Sequence, residues 1–97
     1  MSLKPSGSRY RSKGKIFADI LSAVNQDEGA KPTHILYKAN LSHDRLTKYL
    51  SLLEESDLLT KSTNPDKTEY FITEKGRKFL VEFRRMEQFA EAFGLEI

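Results

Sequence analysis

A short polar surface near the middle of the chain carries the side chains best suited to binding. A helix is predicted over residues 42–56, and its outer side carries groups that donate or accept hydrogen bonds: His43, Asp44, Arg45, Thr47 and Lys48. Arginine and lysine bind phosphate oxygens, and arginine also recognises the edge of guanine in the major groove. These residue types predict contact with DNA, although such a face, taken alone, is most often only solvated.

The opposite side of the same helix is apolar. Leu46, Tyr49, Leu50 and Leu53 follow at helical spacing and form one stripe for the core. Ser42 has the right chemistry for an N-cap, because its hydroxyl can accept a free backbone N–H of the first turn. A helix that buries one side and exposes basic groups near its start meets the requirements of major-groove readout.

A second, shorter helix is predicted just before it. Pro32 suits the first position of this helix, where its missing N–H costs nothing, and Asn40 tolerates the left-handed conformation that ends helices. Two helices joined by so tight a link form a helix-turn-helix. Lys31 and Thr33 lie at the start of the shorter helix, where they either grip a phosphate group or act as ordinary capping residues.

The N-terminal segment is basic. Residues 1–11 are predicted to form a mobile arm, and a first helix should start between residues 8 and 12 and bury one apolar face. Arg9, Arg11 and Lys13 could enter a minor groove or follow the phosphate backbone. Non-specific attraction to phosphate is favoured over base reading for this segment.

The hydrophobic period changes after residue 57. Residues 58–61 and 68–72 are predicted strands, and the polar segment between them has the composition of a turn. A hairpin directly after a helix-turn-helix is the wing of a winged helix. Lys67 is the candidate DNA contact on this wing, but the neighbouring Asp66 puts strong wing contacts in doubt.

A long amphipathic helix is predicted from Glu74 to about residue 93, with Thr73 as its N-cap. Its apolar residues alternate in steps of four and three, which is the spacing of a coiled-coil seam. Phe79 and Leu80 are expected to face the core. The predicted dimer interface consists of the residues farther along the helix: Phe83, Met86, Phe89, Ala90 and Phe93.

Together these elements predict a mostly α fold with a small β-hairpin. Residues 12–76 would form a winged helix-turn-helix domain, and residues 77–97 a C-terminal dimerisation helix that extends beyond it. The predicted DNA-contacting residues are Arg9, Arg11, Lys13, Lys31, Thr33, Ser42, His43, Asp44, Arg45, Thr47, Lys48 and Lys67.

Two strings in the sequence resemble those of known proteins. Residues 70–76, which read YFITEKG, resemble the second wing strand and capped last helix of many prokaryotic winged-helix regulators. Residues 40–42 (NLS), followed by the pairs at 49–50 and 58–59, resemble their recognition-helix region. With its basic start and apolar last helix, the chain resembles the small archaeal winged-helix proteins of the ten-kilodalton chromatin type over almost its whole length. The resemblance implies DNA binding by a homodimer paired through antiparallel C-terminal helices.

Composition limits the other classes of function. The chain has 97 residues, which suggests one small domain, and a net charge of only +2. It contains no cysteine, no apolar run long enough for a membrane span, and no signature of a catalytic triad or a phosphate-binding glycine loop. We therefore expect neither an enzyme nor a cofactor, and the two histidines, His34 and His43, make a weak case for a metal site. The expected location is the cytoplasm, in association with the nucleoid.

A rival interpretation keeps the fold and changes the partner. Winged helices also serve as docking modules for other proteins, and the modest net charge is compatible with that role. The two interpretations differ in what Arg45 and Lys48 do, because DNA binding requires these cations and protein docking does not.

Overall fold

The computed structural model describes residues 11–62, 64–95 and 97. The described residues form four helices and two strands in the order α1 (Lys13–Asn25), α2 (Pro32–Ala39), α3 (His43–Glu55), β1 (Leu59–Lys61), β2 (Tyr70–Ile72) and α4 (Glu74–Ala92). The predicted fold class is confirmed: a mostly helical winged helix with a long C-terminal helix. None of the described helices combines the length and the apolar character that crossing a membrane requires.

Short polar side chains begin three of the helices. Ser12 Oγ accepts the backbone N–H of Lys15, and Ser42 Oγ accepts that of Arg45. Thr73 Oγ1 accepts the N–H of Gly76 at 2.9 Å. Such caps satisfy N–H groups that have no partner inside the helix. The caps expected at Ser42 and Thr73 are therefore confirmed.

The turn between α2 and α3 uses a left-handed residue. Asn40 has φ 55° and ψ 59°, and its N–H points back to the carbonyl groups of the last turn of α2. The N–H of Leu41 donates to the carbonyl of Leu36 at 3.2 Å, and the Leu41 side chain is buried. The chain can therefore reverse direction within the three residues 40–42, as the sequence predicted.

The wing is an antiparallel hairpin with Thr60 paired to Phe71. A third segment joins it, because Ala30 N donates to Tyr70 O at 2.9 Å and Tyr70 N donates to Ala30 O at 2.8 Å. The sequence predicted no third segment beside the wing, so this bridge was missed. It attaches the wing to the segment that leads into α2.

The end of α3 is joined to the start of α4. Thr73 Oγ1 donates to the carbonyl of Asp57 at 2.8 Å, and Thr73 N donates to the carbonyl of Leu58 at 3.1 Å. Gly76, in the first turn of α4, packs so closely on the Leu58 carbonyl that a Cβ atom would overlap it. These contacts fix the direction in which α4 leaves the domain.

The core is built around α1. The largest fully buried side chains come from all four helices and the wing: Ile20, Leu21, Val24, Ile35, Leu46, Leu53, Leu59 and Leu80. The ring of Phe17 meets that of Tyr49 edge-on, with 5.6 Å between centroids. The apolar stripe predicted for α3 therefore belongs to the common core, and its polar side is left outside.

The first half of α4 is also part of this core. Phe83 is only 6% exposed, and its ring packs so tightly on Gly14 of α1 that a side chain there would need the ring to shift. Farther along, Lys15 Nζ lies 3.1 Å from Glu87 Oε2. The prediction that α4 extends beyond the domain from Phe83 onward is thus corrected, because α4 runs along α1 as far as Glu87.

Candidate nucleic-acid interface

The outer side of the first half of α3 is fully open to solvent. All five polar residues predicted there are exposed: His43, Asp44, Arg45, Thr47 and Lys48. The buried residues of α3 (Leu46, Tyr49, Leu50 and Leu53) lie on the other side. The structure therefore brings these five side chains together on one accessible face.

The two cations of this face, Arg45 and Lys48, form no ion pair with another described residue. Among the residues that the structure describes, no carboxylate oxygen lies within 4.0 Å of the charged groups of Arg45 or Lys48. The Arg45 guanidinium instead lies over the ring of Tyr49, with its Cζ atom 5.9 Å from the ring centroid. A cation over an aromatic face is held in place without losing its charge. Both positive charges remain free to bind an anion.

Two hydroxyl groups on this face form hydrogen bonds with the backbone of α3. Thr47 Oγ1 donates to the carbonyl of His43 at 2.9 Å, and Ser42 Oγ accepts the Arg45 N–H at 3.3 Å. Each oxygen keeps a lone pair that can accept another hydrogen bond. Asp44 lies in the first turn of α3, where the helix dipole favours a negative charge.

The start of α2 bears on the alternative between phosphate binding and capping for Lys31 and Thr33. Lys31 is the N-cap residue of α2, but its side chain makes no capping hydrogen bond, and Thr33 lies inside the helix. Both side chains are exposed. Neither acts as a side-chain cap, so ordinary capping does not account for them.

Arg11 does not lie on the candidate interface, which corrects its predicted role as a DNA contact. Its side chain is only 11% exposed, and Nη1 donates to Asp19 Oδ2 at 2.7 Å. The same guanidinium also donates to the backbone carbonyls of Ala39 and Asn40. It is drawn inward because these carbonyls end a helix and have no partner within it. Arg9 and most of the predicted arm lie outside the described residues.

The remaining predicted contacts lie at the edges of the interface. Lys13 is exposed at the start of α1. Lys67 is 57% exposed on the wing, and its Nζ lies 3.8 Å from Glu69 Oε2, so an acid offsets part of its charge.

The acidic end of α3 lies away from its basic start. Near that end, burial raises the pKa of the Tyr70 phenol, and the Glu54 carboxylate raises it further.

One exposed aromatic residue was not singled out from the sequence. Tyr37 is 83% exposed on α2, one helical turn after Thr33. A tyrosine hydroxyl is a common partner of DNA phosphate oxygens. Its position in the sequence could have indicated this role, because a residue four places after Thr33 lies on the same side of the helix.

A second accessible surface lies on α4 and is apolar. Met86, Phe89 and Phe93 are 51%, 65% and 65% exposed, and the rings of the two phenylalanines lie 5.0 Å apart. A groove of about 500 Å³ runs beside them, lined by Phe79, Glu82, Phe83, Arg85, Met86 and Phe89. We call the exposed residues Met86, Phe89 and Phe93, together with the half-buried Phe79 beside them, the apolar α4 face.

This face differs from the predicted dimer interface in two residues. Phe83 and Ala90, only 6% and 5% exposed, are buried within their own chain. Phe83 packs in the core and Ala90 lies outside the core cluster, but both offer almost no surface to a partner. The predicted positions are corrected to the neighbouring strip, on which Phe79, Met86 and Phe93 recur every seven residues.

Comparison with known proteins identifies the class that this fold and this exposed helix define. A family model described as winged helix-turn-helix matches residues 10–91, so the chain belongs to the winged helix-turn-helix family. A search of curated protein sequences gave no significant match.

Among solved structures, Sso10a-2, a DNA-binding protein from Sulfolobus solfataricus, is 28% identical. It superposes with a TM-score of 0.76 over 86% of this chain and 85% of its own. The predicted resemblance to small archaeal winged-helix proteins is confirmed by this match.

Two further structures share the fold at lower identity. BpsR of Bordetella bronchiseptica is 18% identical with a TM-score of 0.70, over 81% of this chain and 59% of its own. The repressor CouR, solved on a 23-mer DNA duplex, is also 18% identical, with a TM-score of 0.64 over 84% of this chain and 63% of its own. The chain thus spans less than two thirds of either protein.

Proposed function

We propose that the protein binds double-stranded DNA by placing the first half of α3 in the major groove. The observation that carries this proposal is the exposed pair Arg45 and Lys48, whose charges have no anionic partner among the described residues. They lie on the second helix of a helix-turn-helix, the element that reads base edges in this motif. The 28% identity to a DNA-binding protein of similar length supports the same conclusion.

Each exposed group has a role that follows from its chemistry. Arg45 and Lys48 donate to guanine or to phosphate, and Asp44, which can only accept, suits an amino group of cytosine. Lys31 and Thr33 bind phosphate at the start of α2. The outer contacts would come from His43, Thr47, Lys13, Lys67 and the segment that contains Arg9. A chain with these contacts acts at the nucleoid as a transcription regulator or as an architectural protein.

The direct test is a binding titration on random-sequence duplex DNA, followed by fluorescence anisotropy across a salt series. Each phosphate contact releases counterions, so the logarithm of the affinity should fall with the logarithm of salt with a slope of about 0.9 per contact. Binding that stays constant from low to physiological salt would contradict the phosphate contacts. No binding at low salt would contradict the proposal and favour the docking-module interpretation.

We also propose that a second copy of the chain covers the apolar α4 face in an antiparallel arrangement. Three large exposed side chains on one helix (Met86, Phe89 and Phe93) form a patch that a solvated surface rarely carries. They continue a seven-residue repeat, and a repeat of this kind pairs with a like helix. An isologous contact buries the same patch on both copies.

Light scattering tests this pairing. The double variant Phe89→Glu, Phe93→Glu should have half the wild-type mass, because a charge buried in an apolar seam is strongly unfavourable. Val81→Glu is the matched control, since Val81 is 50% exposed on α4 but lies off the apolar face, so its mass should not change. A wild-type protein that is monomeric at high concentration would remove the dimer from the proposal.

A further inference from the structure

The Arg11 side chain joins two parts of the molecule that are distant in sequence, α1 and the end of α2. Its Nη1 atom donates to Asp19 Oδ2 and to Ala39 O, both at 2.7 Å, and Nη2 donates to Asn40 O at 2.9 Å. Asp19 belongs to α1, whereas Ala39 and Asn40 end α2. One guanidinium therefore connects α1 to the turn of the helix-turn-helix.

The chemistry of these contacts makes the connection strong and specific. The last carbonyls of a helix have no partner within it and carry the negative end of the helix dipole, so a cation placed there is favoured. Hydrogen bonds from a charged donor are stronger than neutral ones, and a planar guanidinium can serve several acceptors in one plane. A lysine in place of Arg11 would keep the charge but lose this geometry.

The carbonyls that Arg11 binds lie just before the start of α3. Asn40 has a left-handed backbone, and the chain reaches the N-cap Ser42 only two residues later. The first turn of α3 carries His43, Asp44 and Arg45. A change in the backbone at Asn40 would therefore shift this first turn, while the later turns of α3 stay held by the buried Leu50 and Leu53.

We propose that Arg11, oriented by Asp19, is a positioning residue for the DNA-binding face and not a ligand of DNA. This inference rests on the proposed function. It adds that a residue outside the interface sets the geometry of the helix that reads DNA. The ion pair between Arg11 and Asp19 then affects affinity through the position of α3.

The variant Asp19→Asn gives the sharpest test, because charge and position predict opposite changes. Removing one acid makes the protein more positive, so an effect of charge alone would raise its affinity for DNA. We expect the affinity to fall about tenfold instead, because Arg11 loses the carboxylate that orients it. Glu55→Gln is the control: it removes one exposed acid from α3 without touching Arg11, and its affinity should stay equal or rise slightly.

Arg11→Lys and Arg11→Gln separate positioning from direct contact. If Arg11 only positions α3, both variants should lose affinity, and the salt dependence should keep the wild-type slope. A phosphate ligand would behave differently, since Arg11→Gln would then lower the slope by about 0.9. A lowered slope, or wild-type affinity in both Asp19→Asn and Arg11→Lys, would overturn the inference.

Amide hydrogen exchange gives a readout that does not need DNA. In Asp19→Asn and Arg11→Lys, the amides of Asn40, Leu41 and Leu46 should exchange faster than in the wild type, because their hydrogen bonds define the turn and the first turn of α3. Amides in the middle of α4, around the buried Leu80, serve as the reference and should be unchanged. If wild type bound no DNA, the proposed function would be wrong. Unchanged exchange at the turn would overturn the role of Arg11 itself.

Discussion

The outer side of α3 and the apolar face of α4 differ in chemistry although both helices pack on the same core. On α3 the exposed groups are ionic or hydrogen-bonding, and Arg45 and Lys48 lack anionic partners among the described residues. On α4 the exposed groups include Phe89 and Phe93, each 65% exposed. Exposed positive charge attracts the phosphate backbone of DNA. Exposed apolar area is buried most readily against another protein surface. The side that a helix leaves uncovered therefore indicates the kind of partner.

The largest expected effect is on the α3 side of this comparison. The double variant Arg45→Ala, Lys48→Ala should weaken DNA binding about 100-fold at low salt, since each direct contact contributes roughly 1–3 kcal/mol. Anisotropy with the wild-type duplex measures the loss. The mass in solution should not change, because neither residue lies on α4.

The matched control removes two cations from α4. Arg77→Ala, Arg84→Ala makes the same change in net charge at exposed positions away from the apolar face. Its affinity should fall by much less than that of the α3 variant. Equal losses of DNA affinity in the two variants would mean that only the total charge of the protein matters. The α3 face would then have no special role in DNA binding.

A second prediction separates the two sides of α4 itself. Phe83→Ala should lower the free energy of unfolding by about 3–5 kcal/mol at any protein concentration, because it leaves a cavity against Gly14 and Phe79. Phe89→Ala should destabilise the protein only where dimers form, so its effect should vary with concentration. Urea denaturation at two concentrations checks both. A concentration-independent loss for Phe89→Ala would place that residue in the core.

The smallest predicted effect concerns the cap of α3. Ser42→Ala removes the hydroxyl that accepts the Arg45 N–H and should cost about 1 kcal/mol of stability. Thermal unfolding followed by circular dichroism measures it. Ser42→Thr should restore most of the loss, and Ser51→Ala, an exposed serine within the same helix, should be close to neutral.

Local signals account for what the sequence predicted correctly. The cap residues Ser42 and Thr73, the left-handed Asn40 and the helix start at Pro32 each act on backbone groups within a few residues. Such effects do not depend on the rest of the fold. The fold class followed from their order along the chain, with a hairpin between the third and fourth helices.

The missed features depend on contacts between distant residues. The seven-residue spacing in α4 defined an apolar stripe, but only the position of α1 decided that Phe83 faces inward and Phe89 outward. Glycine is a poor residue inside a helix, and the value of Gly14 lies in the space it leaves for the Phe83 ring. Arg11 binds carbonyl groups 28 and 29 residues away, and no local pattern marks such partners.

The hydrogen bonds of Thr73 to Asp57 and Leu58 tie the direction of α4 to the end of α3. In the proposed dimer, the pairing of two α4 helices would consequently determine how far apart the two α3 helices stand. A slip of one seven-residue repeat would move one copy by about 10 Å along the seam, the length of roughly three base pairs. The spacing of half-sites on DNA would then be a property of the C-terminal helix, and it could change without any substitution in α3.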